Sequence, residues 1–543
     1  MKSGARIETL AKRWLDRTVE FDPVGATYLG IHKGDGLMPD GTQRAVLREI
    51  AEDRKLCADF RRVPSAGLSP EQKIDRELAI QTLKLRLFRY EVLQQWKSMP
   101  EAAFVVGDSL YPFMVRDFAP MKSRLRSALA RMRAIPRYVE QTKERLTAPV
   151  KVWVETAIRI LAGTHSLVAL VVDAGRGVFG ARDQSALARA AEGVRSSMNS
   201  FVSWLEKDVL PRAREEFAIG PKNFANLTRL RRLGLTPAEI FEFGERQLKS
   251  AKEKIAETAR LIDPSASVEQ VRARVRAKCP ATFKEAINAV RGACAEAKRF
   301  VVEHGFASVP DDESLEIVET PEFIRPLIPF GAYMSPGRFD KKQAGLYFVT
   351  PVPDGSVAMQ EHNYAALKNM SVHEAYPGHH LQLVCANRNE SLVRVFADGM
   401  ELCEGWAHYC EERVKELGFD DTPEARLVQL IDVAWRAARI VIDVKLSSGE
   451  MGFDEAVAFL SEQTGIEREP ARVEVTRYTM SPGYQLSYLL GREMVKDFRR
   501  ELERKLGSDF SERQFHDAIL YAGTLPMNIM RKEVARRLKK SSR

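Results

Sequence analysis

The chain has 543 residues, a hydrophobic content of 45%, a charged content of 29% and a formal net charge of +9. This length and mixture are typical of a globular protein with a sizeable core, not of a disordered chain. The lysines and arginines are spread along amphipathic segments and the six cysteines form no CxxC pair, which argues against nucleic-acid binding and against a disulfide framework.

The N-terminal stretch MKSGARIETLAKRWLDRT is charged throughout and lacks the apolar core of a signal peptide. The most apolar run, residues 161–174, is interrupted by Gly163, Thr164 and His165 and is too short to span a bilayer. We therefore expect a cytoplasmic protein with no membrane partner. The sequence does not indicate its oligomeric state.

From Ile7 to Phe306 the pattern is almost continuously helical, because apolar residues recur at spacings of three and four. Ser69-Pro70 and Thr236-Pro237 mark helix starts. The composition changes after Pro310. We therefore predict a mainly α, two-lobed fold, with an N-terminal helical lobe over residues 1–310 and a second lobe over residues 311–543.

The second lobe opens with a segment rich in proline, glycine, β-branched and aromatic residues. Its alternating stretch AGLYFVT, residues 344–350, predicts a small sheet. A strand at the edge of such a sheet can pair with an extended peptide, and we assign that role to residues 346–350, with Tyr347 and Phe348 as substrate contacts. A plain core strand is the alternative. Arg338, in the preceding turn, is a candidate for binding a substrate carboxylate or else a surface residue.

Residues 371–382 read SVHEAYPGHHLQ and place three of the nine histidines within eight positions. Helical zinc hydrolases begin their motif with an adjacent pair such as His373-Glu374, in which the imidazole binds the metal and the carboxylate deprotonates the attacking water. In the HExxH pattern the second histidine follows one turn later, but Pro377 stands there. An undistorted helix would put His379 on the opposite side, and His380 two turns away at a rise of roughly 10 Å.

The dipeptide Pro377-Gly378 offers a solution. Proline removes a backbone donor and glycine tolerates unusual dihedral angles, so a bulge or kink is expected here. A bulge that absorbs two residues would return His379 to the face of His373. We therefore favour His379 as the second ligand, and His380 remains the alternative.

The next helical segment, residues 392–417, contains CEGWAHYCEE. A catalytic zinc site needs a third protein ligand, and we predict Glu404 for that position. His408, one turn later on the same face, would then support the ligands or face the substrate. The alternative is that GWAHY is aromatic core packing.

Two C-terminal segments supply candidates for stabilising an oxyanion. In SPGYQLSYLLG, Tyr484 and Tyr488 lie one turn apart. A tyrosine hydroxyl near the zinc would donate to the developing oxyanion, and we favour Tyr488 for this role, with Tyr484 as a substrate contact. His516, in FHDAILYAGTLP, is a further candidate donor. Core packing is the alternative for each.

HEAYPGHHLQ followed by EGWAHYCEE resembles the bacterial family catalogued as domain of unknown function 885. Further similar segments extend the resemblance over nearly the whole chain, namely FDPVGATYLGIH (residues 21–32), GAYMSPGRFDKKQAGLYFVTPV (331–352), SPGYQLSYLLG (481–491) and FHDAILYAGTLPM (515–527). EGWAHYCE is also similar to the third-ligand helix of thermostable carboxypeptidases. The resemblance implies a helical, zinc-dependent, gluzincin-like peptidase with a small sheet beside its metal helix. His408 departs from it, because an apolar residue is expected there.

These observations predict a zinc metallopeptidase in which His373, His379 and Glu404 bind one Zn2+ per chain and Glu374 acts as the base. By analogy with similar folds, the expected activity is that of a carboxypeptidase or oligopeptidase acting on a short peptide or small amide. One alternative is an amidase or esterase acting on a non-peptide compound. The other is a non-catalytic helical interaction protein with a relic site.

Overall fold

The protein is described by a computed structural model that covers residues 3–541, with side chains up to residue 539. The described chain is mainly α-helical, with one small sheet of three strands. This confirms the mainly α fold class predicted from the helical periodicity. Predicted helix starts are also found, because the side chains of Ser69 and Thr236 accept hydrogen bonds from the first turns of helices that begin at Pro70 and Pro237.

The chain divides into two compact units. The first comprises Met1–Phe217, Pro321–Leu327 and Pro336–Gln343, and the second comprises Ala218–Thr320, Ile328–Ser335 and Ala344–Arg543. The predicted boundary after residue 310 therefore falls inside the second unit. Two short segments of the first unit are inserted in the part of the sequence that supplies the sheet, so a single cut could not separate the units.

The first unit is built from helices. Its α-helices are α1 (Ser3–Phe21), α2 (Pro23–Tyr28), α3 (Gln43–Arg61), α4 (Pro70–Leu87), α5 (Ala102–Val115), α6 (Met121–Lys143), α7 (Lys151–Arg176) and α8 (Ala181–Trp204). The apolar run at residues 161–174 lies within α7, which is 26 residues long. By length and composition alone α7 is the one helix among the described residues that could cross a membrane. It buries a stripe of residues, including Trp153, Ile160 and Val168, and packs against α5 and α8, as a core helix does.

The second unit contains the remaining helices and the sheet. Its elements are α9 (Pro221–Arg231), α10 (Pro237–Ile262), α11 (Val268–Ala277), α12 (Phe283–Glu303), β1 (Glu313–Glu319), β2 (Gly331–Met334), β3 (Gln343–Val349), α13 (Tyr364–Glu374), α14 (His379–Ala386), α15 (Met400–Glu416), α16 (Pro423–Ser448), α17 (Phe453–Thr464), α18 (Arg468–Met480), α19 (Leu489–Leu506), α20 (Glu512–Leu520) and α21 (Met527–Ser541). Helix α16 is central, since α10, α13, α17 and α19 all contact it.

The sheet has the strand order β1-β3-β2. Strands β2 and β3 pair in an antiparallel register that sets Tyr333 opposite Tyr347 and Gly331 opposite Val349. Strand β3 is therefore central, and Tyr347 and Phe348 are buried. This topology corrects the prediction that residues 346–350 offer an edge to a peptide, because neighbouring strands occupy both sides of β3. The strand beside the cavity described below is β2.

Candidate metal centre

A widened turn joins α13 to α14. The amide of Tyr376 donates to the carbonyl of Ser371 over 3.3 Å, and the amide of Gly378 donates to the carbonyl of Val372 over 3.0 Å. The second bond spans six residues, not the four of an α-helix, so the turn contains the two extra residues expected from Pro377-Gly378. A Cβ atom on Gly378 would lie 1.9 Å from the carbonyl oxygen of His373, so the turn requires glycine at this position.

This turn brings His379 back beside His373. Their ring centroids are 4.7 Å apart and their planes are nearly perpendicular, at 87°. Oε2 of Glu404 lies 3.7 Å from Nε2 of His373 and 3.4 Å from Nε2 of His379. One ligand atom from each of the three side chains lies within 4.8 Å of the others, and all three residues are buried. Two imidazoles and a carboxylate form the ligand set of many catalytic zinc sites.

Glu404 is positioned by a close crossing of α15 and α19. Gly405 on α15 meets Gly491 on α19, where an added Cβ atom would lie 2.3 Å from the carbonyl carbon of Gly491. A Cβ atom on Gly491 would in turn lie 2.1 Å from the carbonyl oxygen of Glu401. The two backbones are therefore in direct contact, and this contact fixes the helix that bears Glu404.

The carboxylate of Glu404 is unequally satisfied. Its Oε1 accepts a hydrogen bond from the hydroxyl of Tyr484. Its Oε2 is buried and has no hydrogen-bond partner among the described residues. A buried carboxylate oxygen without a partner is costly, and a cation between it and the two histidines would satisfy it. Tyr484, predicted to contact substrate, holds this candidate ligand in place and also lines the cavity described below.

The imidazole of His373 is oriented by a buried carboxylate. Its Nδ1 lies 2.6 Å from Oε1 of Glu411, whose Oε2 accepts a hydrogen bond from Asn369 over 3.0 Å. Asn369 also donates to Asp432 over 2.8 Å. Metal-binding histidines commonly donate their second nitrogen to a carboxylate in this way. His408 lies on the far side of this pair, with its Nδ1 3.3 Å from Glu411, and is fully buried.

The electrostatics of the cluster favour positive charge. Burial lowers the pKa of His379, but Cys403 and Glu404 outweigh burial and raise this pKa well above its usual value. Burial likewise opposes ionisation of Glu404, yet His379 and His373 hold the pKa of this carboxyl well below its usual range. The fit of the residues to a divalent cation therefore rests on the free oxygen, the oriented imidazole and this local field.

His380 belongs to a separate buried network. Its Nδ1 lies 2.9 Å from the hydroxyl of Tyr333, and its Nε2 donates to Oε2 of Glu313. Glu313 also accepts hydrogen bonds from the hydroxyl of Tyr376, over 2.8 Å, and from Lys298, over 2.5 Å. Burial raises the pKa of Glu313, but His380 and Lys298 together lower it to about 2. Both ring nitrogens of His380 are thus engaged away from the cluster, which favours His379 as the ligand.

The cluster opens into a cavity of about 340 Å³ within the second unit. His373, His379 and Glu404 line one part of it together with Glu374. Glu374 has no hydrogen-bond partner among the described residues, so its carboxylate is available to a molecule in the cavity. Further lining groups come from the edge strand β2, from α11, α13, α16 and α18, and from Tyr484 and Tyr488. The ring of Tyr488 lies parallel to that of His373, at 6.5 Å and 15°.

Residues 23–534 match the family model described as bacterial protein of unknown function (DUF885). The chain belongs to the DUF885 family. This membership confirms the family predicted from the sequence. Comparison with curated proteins finds no match.

Two solved structures are similar to this family member over their whole length. One, from Colwellia psychrerythraea, is provisionally described as a lipoprotein; it shares 20% identity, has a TM-score of 0.85 and covers 99% of this chain and 100% of its own. The other, from Shewanella oneidensis, is provisionally described as a lipoprotein of unknown function; it shares 23% identity, has a TM-score of 0.78 and covers 97% of this chain and 98% of its own. At these identities the likeness establishes a shared fold.

Four residues predicted for the site of this DUF885 protein lie elsewhere. Tyr347 and Phe348 are buried on the central strand, and Arg338 belongs to the first unit, outside the cavity. His516 is fully buried, donates from Nδ1 to the carbonyl of Phe306 over 2.8 Å and accepts the hydroxyl of Tyr409 at Nε2 over 2.9 Å. Because both nitrogens of His516 are used inside the core, it is not placed to act as an oxyanion donor.

His516 instead supports the widened turn indirectly, through Trp406. Its ring packs edge-on against Trp406 at 5.2 Å, and the indole nitrogen of Trp406 donates to the carbonyl of Pro377 over 2.8 Å. The aromatic segment GWAHY therefore contributes both core packing, the alternative considered for it, and a direct hydrogen bond to the turn between the two histidines.

Sequence reasoning missed Tyr333, Arg436 and Arg439, which all line the cavity. A signal for the arginines exists, because Asp432, Arg436 and Arg439 are spaced at i, i+4 and i+7 and so share a face of an otherwise apolar helix. Tyr333 is harder to find, since it lies on a strand of four residues whose partner follows only after a long turn.

Proposed function

We propose that the protein is a zinc-dependent hydrolase that cleaves peptide bonds in short peptides. The observation that carries the proposal is the convergence of His373, His379 and the unpartnered Oε2 of Glu404, with the free carboxylate of Glu374 lining the same cavity. A histidine, histidine and glutamate ligand set beside a basic glutamate is also the arrangement of gluzincin peptidases, which the sequence motifs resemble.

His373, His379 and Glu404 would hold the metal, and a zinc ion bound there supplies Lewis acidity toward an amide carbonyl and toward water. Glu374 is adjacent to His373 in the chain and faces the cavity, so it is positioned to take a proton from the attacking water. The same carboxyl then delivers that proton to the departing amine. Glu411 keeps the hydrogen of His373 on Nδ1 and so leaves Nε2 as the ligand atom.

Two tyrosines can stabilise the oxyanion that forms at the substrate carbonyl. Tyr488, the sequence-based candidate, lines the cavity beside His373. Tyr333 also lines the cavity, and its hydroxyl is bonded to His380, which is bonded in turn to Glu313. For this role Nδ1–H of His380 donates to the Tyr333 oxygen while Nε2–H donates to Glu313, which leaves the Tyr333 hydrogen for the oxyanion. A donor held in this way is pre-oriented, and pre-oriented donors contribute most to stabilising an oxyanion.

Strand β2 supports peptides as the substrate class. It lies at one edge of the sheet, and its residues Gly331, Ala332 and Tyr333 line the cavity. An extended peptide could pair with this edge as an added strand. The cavity volume of about 340 Å³ is at the small end of ligand sites, which favours short peptides over folded proteins.

The proposal is tested by elemental analysis of the purified protein and of single alanine variants. We expect about one zinc per chain, lost in His373→Ala, His379→Ala and Glu404→Ala and retained in His380→Ala. Glu374→Gln should retain the metal and lose hydrolysis of a peptide library. A folded protein that takes up no zinc after reconstitution, or a Glu374→Gln variant that remains as active as the wild type, would refute the proposal.

A further inference from the structure

Two buried arginines of α16 line the cavity and take no part in the hydrolysis proposed above. Arg436 and Arg439 are one turn apart, line the cavity and are exposed by only 3% and 4%. Arginine is rarely buried to this extent without a partner for its charge. Their contacts therefore show which of their donors are used within the protein and which are left for a ligand.

The guanidinium of Arg439 is fixed in one orientation. Its Nε donates to the hydroxyl of Tyr478 over 2.8 Å, and its Nη2 donates to Glu474 over 2.7 Å. Its Cζ lies 4.1 Å from the ring centroid of Trp435 and 4.8 Å from that of Tyr488. Nη1 has no hydrogen-bond partner within the described part of the chain. A rigid guanidinium with a spare donor binds a planar anion at little entropic cost.

The donors of Arg436 are less well satisfied. Its Nη1 lies 2.9 Å from Oδ1 of Asp432. The N–H group is not aligned with that oxygen, however, and both Nη1 and Nε are buried without a hydrogen bond to any described residue. Asp432 already accepts a hydrogen bond from Asn369 through its other oxygen. Unpaired buried donors of a charged group are costly, and an anion in the cavity would satisfy them.

The charges of the cavity also favour an anion. Apart from the metal ligands and Glu374, five arginines and three carboxylates line it. The arginines are Arg272, Arg276, Arg436, Arg439 and Arg477, and the carboxylates are Glu361, Asp432 and Glu474. Glu474 is shared between Arg439 and Arg477, to which it is bonded over 2.7 and 2.9 Å. The wall therefore carries an excess of positive charge in a partly dehydrated space, where ion pairs are strong.

We propose that Arg436 and Arg439 bind a carboxylate of the substrate and so select substrates with a carboxylate close to the bond that is cleaved. This inference rests on the proposed hydrolase function and adds the substrate class. Tyr488 sets the spacing, because its ring lies 6.5 Å from the ring of His373 and 4.8 Å from Cζ of Arg439. Such a span accommodates about one to three residues of an extended peptide.

Two sources can supply this carboxylate. One is the α-carboxylate at the C-terminus of a peptide, which would make the protein a carboxypeptidase. The other is the side chain of an aspartate or glutamate next to the cleaved bond, which would allow cleavage within a chain. The binding chemistry at the arginines is the same, so the peptide and not the protein must be varied to separate them.

The test measures binding to the zinc-loaded Glu374→Gln variant by calorimetry. The first pair of probes is two libraries of N-acetylated tripeptides, identical except that one ends in a carboxylate and the other in an amide. The second pair is two amidated peptides, one of which contains glutamate and the other glutamine. We expect each carboxylate to bind roughly 10- to 100-fold more tightly than its neutral counterpart in at least one of the two comparisons. The comparison that shows the preference names the source.

A second set of variants tests whether the two arginines cause this preference. Arg436→Gln and Arg439→Gln, each added to Glu374→Gln, should reduce the preference for the carboxylate peptide to about threefold or less. Arg439→Lys keeps the charge and should keep part of this preference. Arg426→Gln is the matched control, because Arg426 lies on the same helix but pairs with Asp421 away from the cavity. Circular dichroism and thermal melts exclude unfolding as the cause of any loss.

The failures of the two proposals are distinguishable. Equal binding of acids and amides to the folded protein, no binding of either, or a preference that survives in both arginine variants would overturn the inference, even if the wild type hydrolyses peptides. A preference that depends on the arginines, in a protein that hydrolyses none of the libraries, would instead support the carboxylate site and count against the hydrolase.

Discussion

Nδ1 of His373 and Oε1 of Glu411 lie 2.6 Å apart, and both side chains are almost completely buried. An ionised carboxylate can only accept hydrogen bonds, so the imidazole carries its hydrogen on Nδ1 and presents the lone pair of Nε2 to the cluster. Glu411 thereby determines which nitrogen of His373 is free to bind a metal, although Glu411 is not itself a candidate ligand.

Replacement of Glu411 by glutamine is expected to weaken zinc binding by about 10- to 100-fold, because the neutral amide orients and polarises His373 less well. Competition with a chromogenic chelator measures the affinity. Glu416→Gln is the matched control, since Glu416 lies on the same helix with its side chain 42% exposed, and it should bind zinc as the wild type does. Unchanged affinity in Glu411→Gln would show that this hydrogen bond does not tune the site.

Gly378→Ala should damage the site through the backbone. The added methyl group would lie 1.9 Å from the carbonyl oxygen of His373, and a backbone atom cannot move aside as a side chain can. We expect the free energy of unfolding to fall by about 2 to 4 kcal/mol and zinc to be lost from the chains that remain folded. Denaturant titration and metal analysis provide the two measurements.

Gly292→Ala is the control for that variant. Gly292 lies within α12 and has no neighbouring atom within 4 Å of an added Cβ, so alanine there should stabilise the helix by about 1 kcal/mol. Similar losses in the two variants would indicate a general intolerance of alanine and not a specific need for the widened turn.

Tyr333→Phe is expected to lower kcat for peptide hydrolysis by about 10- to 100-fold while KM changes little, because the missing hydroxyl acts on the oxyanion and not on the bound substrate. Zinc content should stay at that of the wild type. Tyr488→Phe serves as the comparison and should cost less than Tyr333→Phe, since only Tyr333 is bonded to the His380–Glu313 pair. The reverse order would return the donor role to Tyr488.

The first unit contains a pH-dependent contact of its own. His32 lies 3.0 Å from both Asp35 and Asp340 and stacks on Phe118. Burial lowers the pKa of His32, but the two carboxylates outweigh it and raise the pKa to about 9. A pKa above that of the unfolded chain means that this contact stabilises the unit fully below pH 6.5 and is lost as the pH rises through about 9.

His32→Gln should therefore lower the free energy of unfolding at pH 6 by about 1 to 2 kcal/mol, a figure reduced from the full shift because solvent screens a partly exposed ring. At pH 10 the variant and the wild type should differ little. Thermal melts at the two pH values provide the measurement, with His165→Gln, on α7 of the same unit, as the control. A destabilisation that is equal at both pH values would show that packing, not charge, is what His32 contributes.

Much of the candidate site follows from local sequence. The spacing of His373 and His379 across Pro377-Gly378 predicts a turn with two extra residues, and the structure has that turn because proline and glycine act on the backbone within a few residues. Glu404 was predicted because a third ligand is expected on the helical segment that follows the histidines, and the structure places its carboxylate beside them. The helices and the family were predictable for the same reason, since each leaves a pattern in contiguous residues.

What the sequence did not reveal depends on contacts between distant segments. The alternation of β3 reports which of its faces is buried and not whether its edges are free, and β1 and β2 pair with both edges. His516 looks like a free histidine at the start of a helix, but the carbonyl of Phe306, from another segment, accepts its hydrogen. Arg439 could be placed on a helix face, but its bonds to Tyr478 and Glu474 come from α18.

The contact of Gly405 with Gly491 has a consequence for how the cavity can vary. Helix α15 carries Glu404, and Tyr488 directly precedes the first residue of α19, so one backbone crossing holds a candidate ligand and an aromatic wall in mutual register. Neither helix can slide or roll without a collision of main-chain atoms. New substrate preferences would therefore be engineered most readily by changing side chains on α16 and β2, because the crossing fixes the backbones of α15 and α19.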